Sequence, residues 1–123
     1  MTSVKLIDDH LEINLSLFDK LLALHGSLHI PLAHVTNAYV SSFEDLQIQF
    51  KLEGTNFGYL KTAGVYANPS GLIFCDVSGF HDCLVIETQG ERFPKIAVQL
   101  RADDDPNAVA HEIMRRLPDA GPT

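Results

Sequence analysis

The feature that most restricts the fold is a change of hydrophobic period near residue 103. From Tyr59 to Leu100 strand-length apolar segments alternate with turn residues: YLKTAGVYA, Asn68-Pro69-Ser70-Gly71, GLIFCDV, Ser78-Gly79, CLVIETQ, Gly90-Glu91 and FPKIAVQL. Proline presets φ and glycine reaches positive φ, so these clusters mark reversals of the chain. Strands at this regular spacing predict an antiparallel meander, with Cys75 and Cys83 nearly opposite each other on neighbouring strands. After Asp103-Asp104-Asp105 the period becomes helical. Asp105 is placed to cap, Pro106 suits the first helical position, and the acidic run complements the helix dipole. Val109, Ile113 and Leu117, with Ala110 and Met114 beside them, form one apolar stripe before Pro118 ends it.

The first forty residues also alternate. Val4 and Leu6, the turn Asp8-Asp9, then Leu11, Ile13 and Leu15 predict a hairpin. LSLFDKLLALHGS, residues 15–27, is read as a short helix closed by Gly26, although it also alternates passably as strand. Residues 27–30 return to extended character until Pro31, which has no N–H to donate. VTNAYVSS, 35–42, is β-branched and aromatic and reads as a strand. Residues 43–58 carry both a strand alternation and a helical fragment. The expected order is seven or eight strands followed by one amphipathic helix, which suits a small antiparallel barrel or sandwich capped by that helix. No linker divides it, so 1–118 is read as one domain and 119–123 as a disordered tail.

A chain of 123 residues with 46% apolar and 20% charged composition suffices for a core without a metal or disulfide. Its net charge is −7, and the nine basic residues are scattered apart from Arg115-Arg116. Nucleic acids and anionic lipid surfaces recruit clustered Lys and Arg, so both are disfavoured as partners. MTSVKLIDDH lacks the basic start and apolar centre of a signal peptide, and no apolar run approaches a membrane span. The expectation is a cytoplasmic protein.

The densest chemistry lies in CDVSGFHDC, 75–83. Its C-x7-C spacing is not the C-x2-C that lets one tight turn hold zinc. Cys75, His81 and Cys83 form a metal site only if all three share a face, which register decides. The expected state is two reduced, packed thiols with His81 and Asp82 exposed, and no metal site or cofactor. His25, His29 and His34 are a second constellation. Pro31 separates the last two, no HExxH spacing occurs, and they are read as individual histidines or a pH-sensitive patch. There is no G-x-S-x-G elbow, and EGTNFG and NPSG lack the lysine of a phosphate-binding loop. An enzyme is not expected.

IPLAHV (30–35), EGTNFG (53–58), AGVYANPSGLIF (63–74), CLVIETQGERFPKIAVQL (83–100) and DDPNAVAHEI (104–113) resemble, in this order, a family of small bacterial pleckstrin-homology-like (PH-like) proteins. The resemblance implies a PH-like barrel or sandwich: two packed antiparallel sheets and a C-terminal helix. It implies little about function, because the family is largely uncharacterised. Eukaryotic pleckstrin-homology domains hold phosphoinositides through basic residues around the first hairpin. Here that turn is Asp8-Asp9-His10, which repels a phosphorylated headgroup, so membrane or phosphoinositide binding is not carried over. The function expected is a non-catalytic binding or scaffolding module acting through protein–protein contacts, including homo-oligomerisation. The alternative is a small-molecule or metal-binding protein using the 75–83 hairpin.

Overall fold

The computed structural model describes residues 2–16, 26–42, 46, 50–56, 62–69, 71–77 and 82–118. The helix expected at 15–27, the Ser78-Gly79 turn, His25, His81 and the tail lie wholly or largely outside them.

Alternation at the N-terminus becomes strands β1 (Ser3–Ile7) and β2 (His10–Asn14), joined at Asp8-Asp9. Asp8 takes φ 53°, a left-handed conformation that Asp tolerates through its short polar side chain. β3 (Leu28–Pro31) pairs antiparallel with β2, giving a three-stranded sheet in the order β1-β2-β3. Pro31 is its last residue, and the ladder is prolonged by Leu32 N–H donating to the Asp9 carbonyl at 2.7 Å.

A 3-10 turn (Leu32–His34) leads into β4 (Val35–Ser41), the first strand of a six-stranded sheet. The others are β5 (Phe50–Asn56), β6 (Thr62–Asn68), β7 (Gly71–Val77), β8 (Cys83–Thr88) and β9 (Lys95–Val98), in the order β4-β8-β9-β7-β6-β5. The expected meander holds for β6-β7 and for β8-β9, but not between β7 and β8; β5, from the undecided stretch 43–58, adds antiparallel to β6. β9 lies between those two strands, parallel to β7 and antiparallel to β8. The reason is legible in burial. β7, β8 and β9 are buried along nearly their whole length rather than alternately. Strands covered on both faces favour central positions, where a parallel pair is tolerated.

The three-stranded sheet packs on one face of the larger sheet. Leu11, Ile13 and Ile30 meet Ala63, Val65, Phe74, Leu84, Ile86, Ile96 and Val98, with Val4, Leu6 and Leu28 at the margin. The opposite face carries a second cluster, Leu46, Tyr66, Ile73, Cys75, Val77, Cys83, Val85 and Ala97. The protein is thus mainly β with two packed sheets and a C-terminal helix; among the described residues neither sheet closes into a barrel.

The helix α1 (Pro106–Arg116) begins as expected: Asp105 accepts the Asn107 N–H at 3.0 Å, with Pro106 in the first turn. It lies against β4 and β8, burying Ala110 and Ile113 in the inter-sheet core, with Val109 and Leu117 at the edge. Met114, expected beside the stripe, is instead 42% exposed, because its angular position falls on the solvent side.

One buried polar contact ties the N-terminal segment to the large sheet. Thr2 and Asp76 are 0% and 1% exposed, and the Thr2 hydroxyl donates to Asp76 Oδ2. Thr2 also bridges Leu100, just beyond β9, in parallel. Thr2→Val keeps the shape but removes the hydroxyl from a buried carboxylate, which costs about 1–3 kcal/mol. A urea-unfolding midpoint lowered to match is the expected outcome, and an unchanged midpoint would show that this contact adds nothing.

Candidate functional site

β9 decides how Cys75 and Cys83 are placed; His81 lies outside the described residues. A single row crosses the large sheet from Gly64 through Cys75, Ala97 and Val85 to Tyr39. Cys83 lies two residues from Val85, opposite Ser41 on β4. The two cysteines therefore share a face, but they are not on neighbouring strands as the hairpin expectation had them. Two inter-strand spacings, about 9.5 Å, already exceed the Cα separation a disulfide tolerates. Both thiols are free and buried in the outer cluster. Burial pushes Cys83 up to about 11, helped by the nearby Asp82, and raises Cys75 well above its ordinary range, with Cys83 and Asp76 adding to it. Cys83 Sγ lies 3.4 Å from the Ser41 carbonyl, to which its thiol donates. Asp82 is exposed, as expected. Among the described residues no group of three metal-capable side chains converges.

The histidines have separate settings. His29 stands on the solvent face of the small sheet, in a row Lys5–Glu12–His29 across its three strands. His34 Nδ1 lies 2.6 Å from Glu91 Oε2, which ties the 3-10 turn to the connection between β8 and β9.

That connection, 89–94, is fastened on several sides. Gln89 N–H donates to the His34 carbonyl at 2.8 Å, and Thr88 N–H to the Pro94 carbonyl at 2.9 Å. The Thr88 hydroxyl donates to the Phe93 carbonyl at 2.6 Å. The Phe93 ring sits 5.6 Å from that of Phe74 in the core, and the Arg92 guanidinium lies 5.0 Å above its centre. Between this connection and β3 runs a half-open groove of about 220 Å³, lined by Leu28, His29, Ile30, Glu91, Arg92, Phe93 and Ile96. Its floor is apolar and its rim carries charge. No local motif marks it, because its two walls are some sixty residues apart in the chain.

The large sheet offers a different surface. β4 is its outermost strand on one side among the described residues, and VTNAYVS contains no charged residue. Its first half is blunted: the register shifts between Val35 and Asn37, and the Asn37 side chain accepts the Ala38 N–H at 2.9 Å. Tyr39 donates to Glu87 Oε2 at 2.8 Å, and burial followed by this carboxylate pushes its hydroxyl up to about 12. Arg115 and Arg116 both donate to the Glu112 carboxylate, at 2.6–3.0 Å. This exposed cluster holds Glu112 down at about 2, chiefly through Arg115 and then Arg116. The one basic pair in the chain is therefore matched on its own helix.

No family model, no curated protein and no solved structure matches this chain. No helix among the described residues is long and apolar enough to cross a membrane.

Two outcomes follow from the buried thiols. Because the thiolate is the nucleophile, iodoacetamide near pH 8 should label Cys75 and Cys83 at least tenfold more slowly in the native protein than in urea; equal rates would mean the outer face is open. Folded thiols and tyrosines also ionise later than unfolded ones. Their contribution is complete below about pH 9 and is lost as pH rises toward 11 for Cys83, and toward 12 for Tyr39 and Tyr66. Denaturant midpoints should fall over that range, and replacing both cysteines by alanine should flatten the fall between pH 9 and 11.

Proposed function

We propose that this chain is a non-catalytic binding or scaffolding module that works through protein–protein contacts, and that copies of it associate through β4. The observation that carries this is the place of Val35–Ser41, an uncharged seven-residue strand at the edge of the six-stranded sheet. An edge strand presents unpaired N–H and C=O groups, and proteins that stay apart usually defend such edges with lysine, proline or a bulge. Here the bulge and Asn37 defend only the first half. Among the described residues no strand pairs with the outer side of Ala38 to Ser41, and antiparallel addition of a second β4 would continue the sheet across the dimer.

Metal binding at 75–83 is less well supported, because cysteine ligands must be thiolates and burial here favours thiols. A PH-like relationship belongs to the same proposal. Two packed sheets and a C-terminal helix support it, whereas the parallel β7–β9 pair departs from a simple meander.

Light scattering across a concentration series tests the association. The unmodified chain should show a mass rising toward twice that of the monomer. Thr36→Lys combined with Ser41→Lys, which adds charge at both ends of the edge, should return it to monomer with unchanged circular dichroism. A chain that is monomeric at every concentration would sink the β4 dimer.

A further inference from the structure

We infer that two copies of this chain join through β4 in a single register, antiparallel, with Val40 facing Val40 of the second copy across a two-fold axis. This rests on the reading of β4 as an association edge, and adds the hydrogen-bonding pattern that makes an identical strand the fitting partner.

The direction of each backbone group on β4 follows from its neighbour β8. Thr88 N–H donates to the Pro94 carbonyl, on the β9 side of β8. In an antiparallel ladder the N–H and C=O of successive residues point to alternate sides. Ile86 and Leu84 therefore also face β9, whereas Glu87, Val85 and Cys83 face β4. The residues opposite those three are Asn37, Tyr39 and Ser41. These three bond to β8, and Ala38, Val40 and then Ser42 direct their backbone groups away from it.

Two of these outward groups are already engaged within the chain. The Asn37 side chain accepts the Ala38 N–H at 2.9 Å, and the Ser41 hydroxyl donates to the Ser42 carbonyl at 3.2 Å. The groups that remain run in order: an acceptor at Ala38, a donor and an acceptor at Val40, a donor at Ser42. Among the described residues no strand lies on this side of β4. A two-fold axis at Val40 sets residue 38 of one copy against residue 42 of the other. The two Val40 residues then exchange both their bonds, and each Ser42 N–H meets an Ala38 carbonyl. The bonds this register forgoes, from Ala38 N–H to the Ser42 carbonyl, are those whose groups the chain has engaged itself. The edge is thus complementary to its own copy, as an isologous interface requires. Centring the axis on Tyr39 would need the Ala38 N–H that Asn37 holds, and centring it on Ser41 would need the Ser42 carbonyl. No charged side chain from Ala38 to Ser42 opposes the pairing.

Amide hydrogen exchange of the unmodified chain, followed by NMR across the light-scattering concentration series, reads the register. The Val40 and Ser42 N–H groups should exchange severalfold more slowly as the dimer forms, while that of Ala38 stays as it is in the monomer. Disulfide capture gives a second reading. In this register the two Val40 Cα atoms stand about 5.5 Å apart, inside the roughly 4.4–6.8 Å that a disulfide accepts. The two Tyr39 Cα atoms are offset along the strands and stand about 8 Å apart. Oxidised in air with copper phenanthroline, Val40→Cys should cross-link about tenfold faster than Tyr39→Cys, with peptide mapping placing the bond at position 40. Faster capture of Tyr39→Cys, or slowed exchange at Ala38, would overturn the register and leave association through β4 standing. A dimer without slowing at 40 and 42 would overturn both. A chain monomeric at every concentration would remove the association reading and the register with it.

Discussion

The whole arrangement depends on β9 lying between β7 and β8. That one short strand, Lys95–Val98, bonds in parallel to β7 and antiparallel to β8, and so joins β5-β6-β7 to β4-β8. Without it the large sheet would be two separate pieces. Its side chains serve both faces: Ile96 and Val98 enter the inter-sheet core, while Ala97 lies in the outer cluster. A small residue at 97 suits its place between Cys75 and Val85, where the row is crowded from both sides.

The same strand creates the groove. To bring β9 back between its neighbours, the chain must reverse at 89–94, and Phe93 anchors that reversal against Phe74. The reversal then stands opposite β3, an outermost strand of the other sheet among the described residues, and the groove is the seam between the two layers. Surface ion pairs contribute little to stability by themselves. The buried Thr88 hydroxyl bond and the Phe93 packing matter more to the rigidity of this wall than His34–Glu91 does.

Much of the secondary structure was readable in advance. The N-terminal hairpin, β4, the strands flanking Asn68-Gly71 and the Asp105-Pro106 start of the helix all follow from local rules of alternation, turn chemistry and capping. The sequence does not distinguish a β7–β8 pair from the observed order, because five intervening residues, 78–82, allow a hairpin and also a reach across one intervening strand. About 9.5 Å separates strands two places apart, and five residues span that with ease. The overlooked signal was the uninterrupted apolar run of Lys95-Ile96-Ala97-Val98 beyond its lysine, and of Ile73–Cys75 and Cys83–Ile86. Such runs mark strands covered on both faces, and hence central ones.

The sequence by itself determined the class of fold, the amphipathic C-terminal helix, the acidic surface and the uncharged character of 35–41, because each is a property of neighbouring residues. Only the tertiary structure decided that 35–41 is an edge, that Cys75 and Cys83 share a buried face with a strand between them, and that Leu28–Ile30 confront Glu91–Phe93. Those are relations between segments distant in the chain. They are set by which strand fills a gap in the sheet, and local periodicity is the same whichever strand does so.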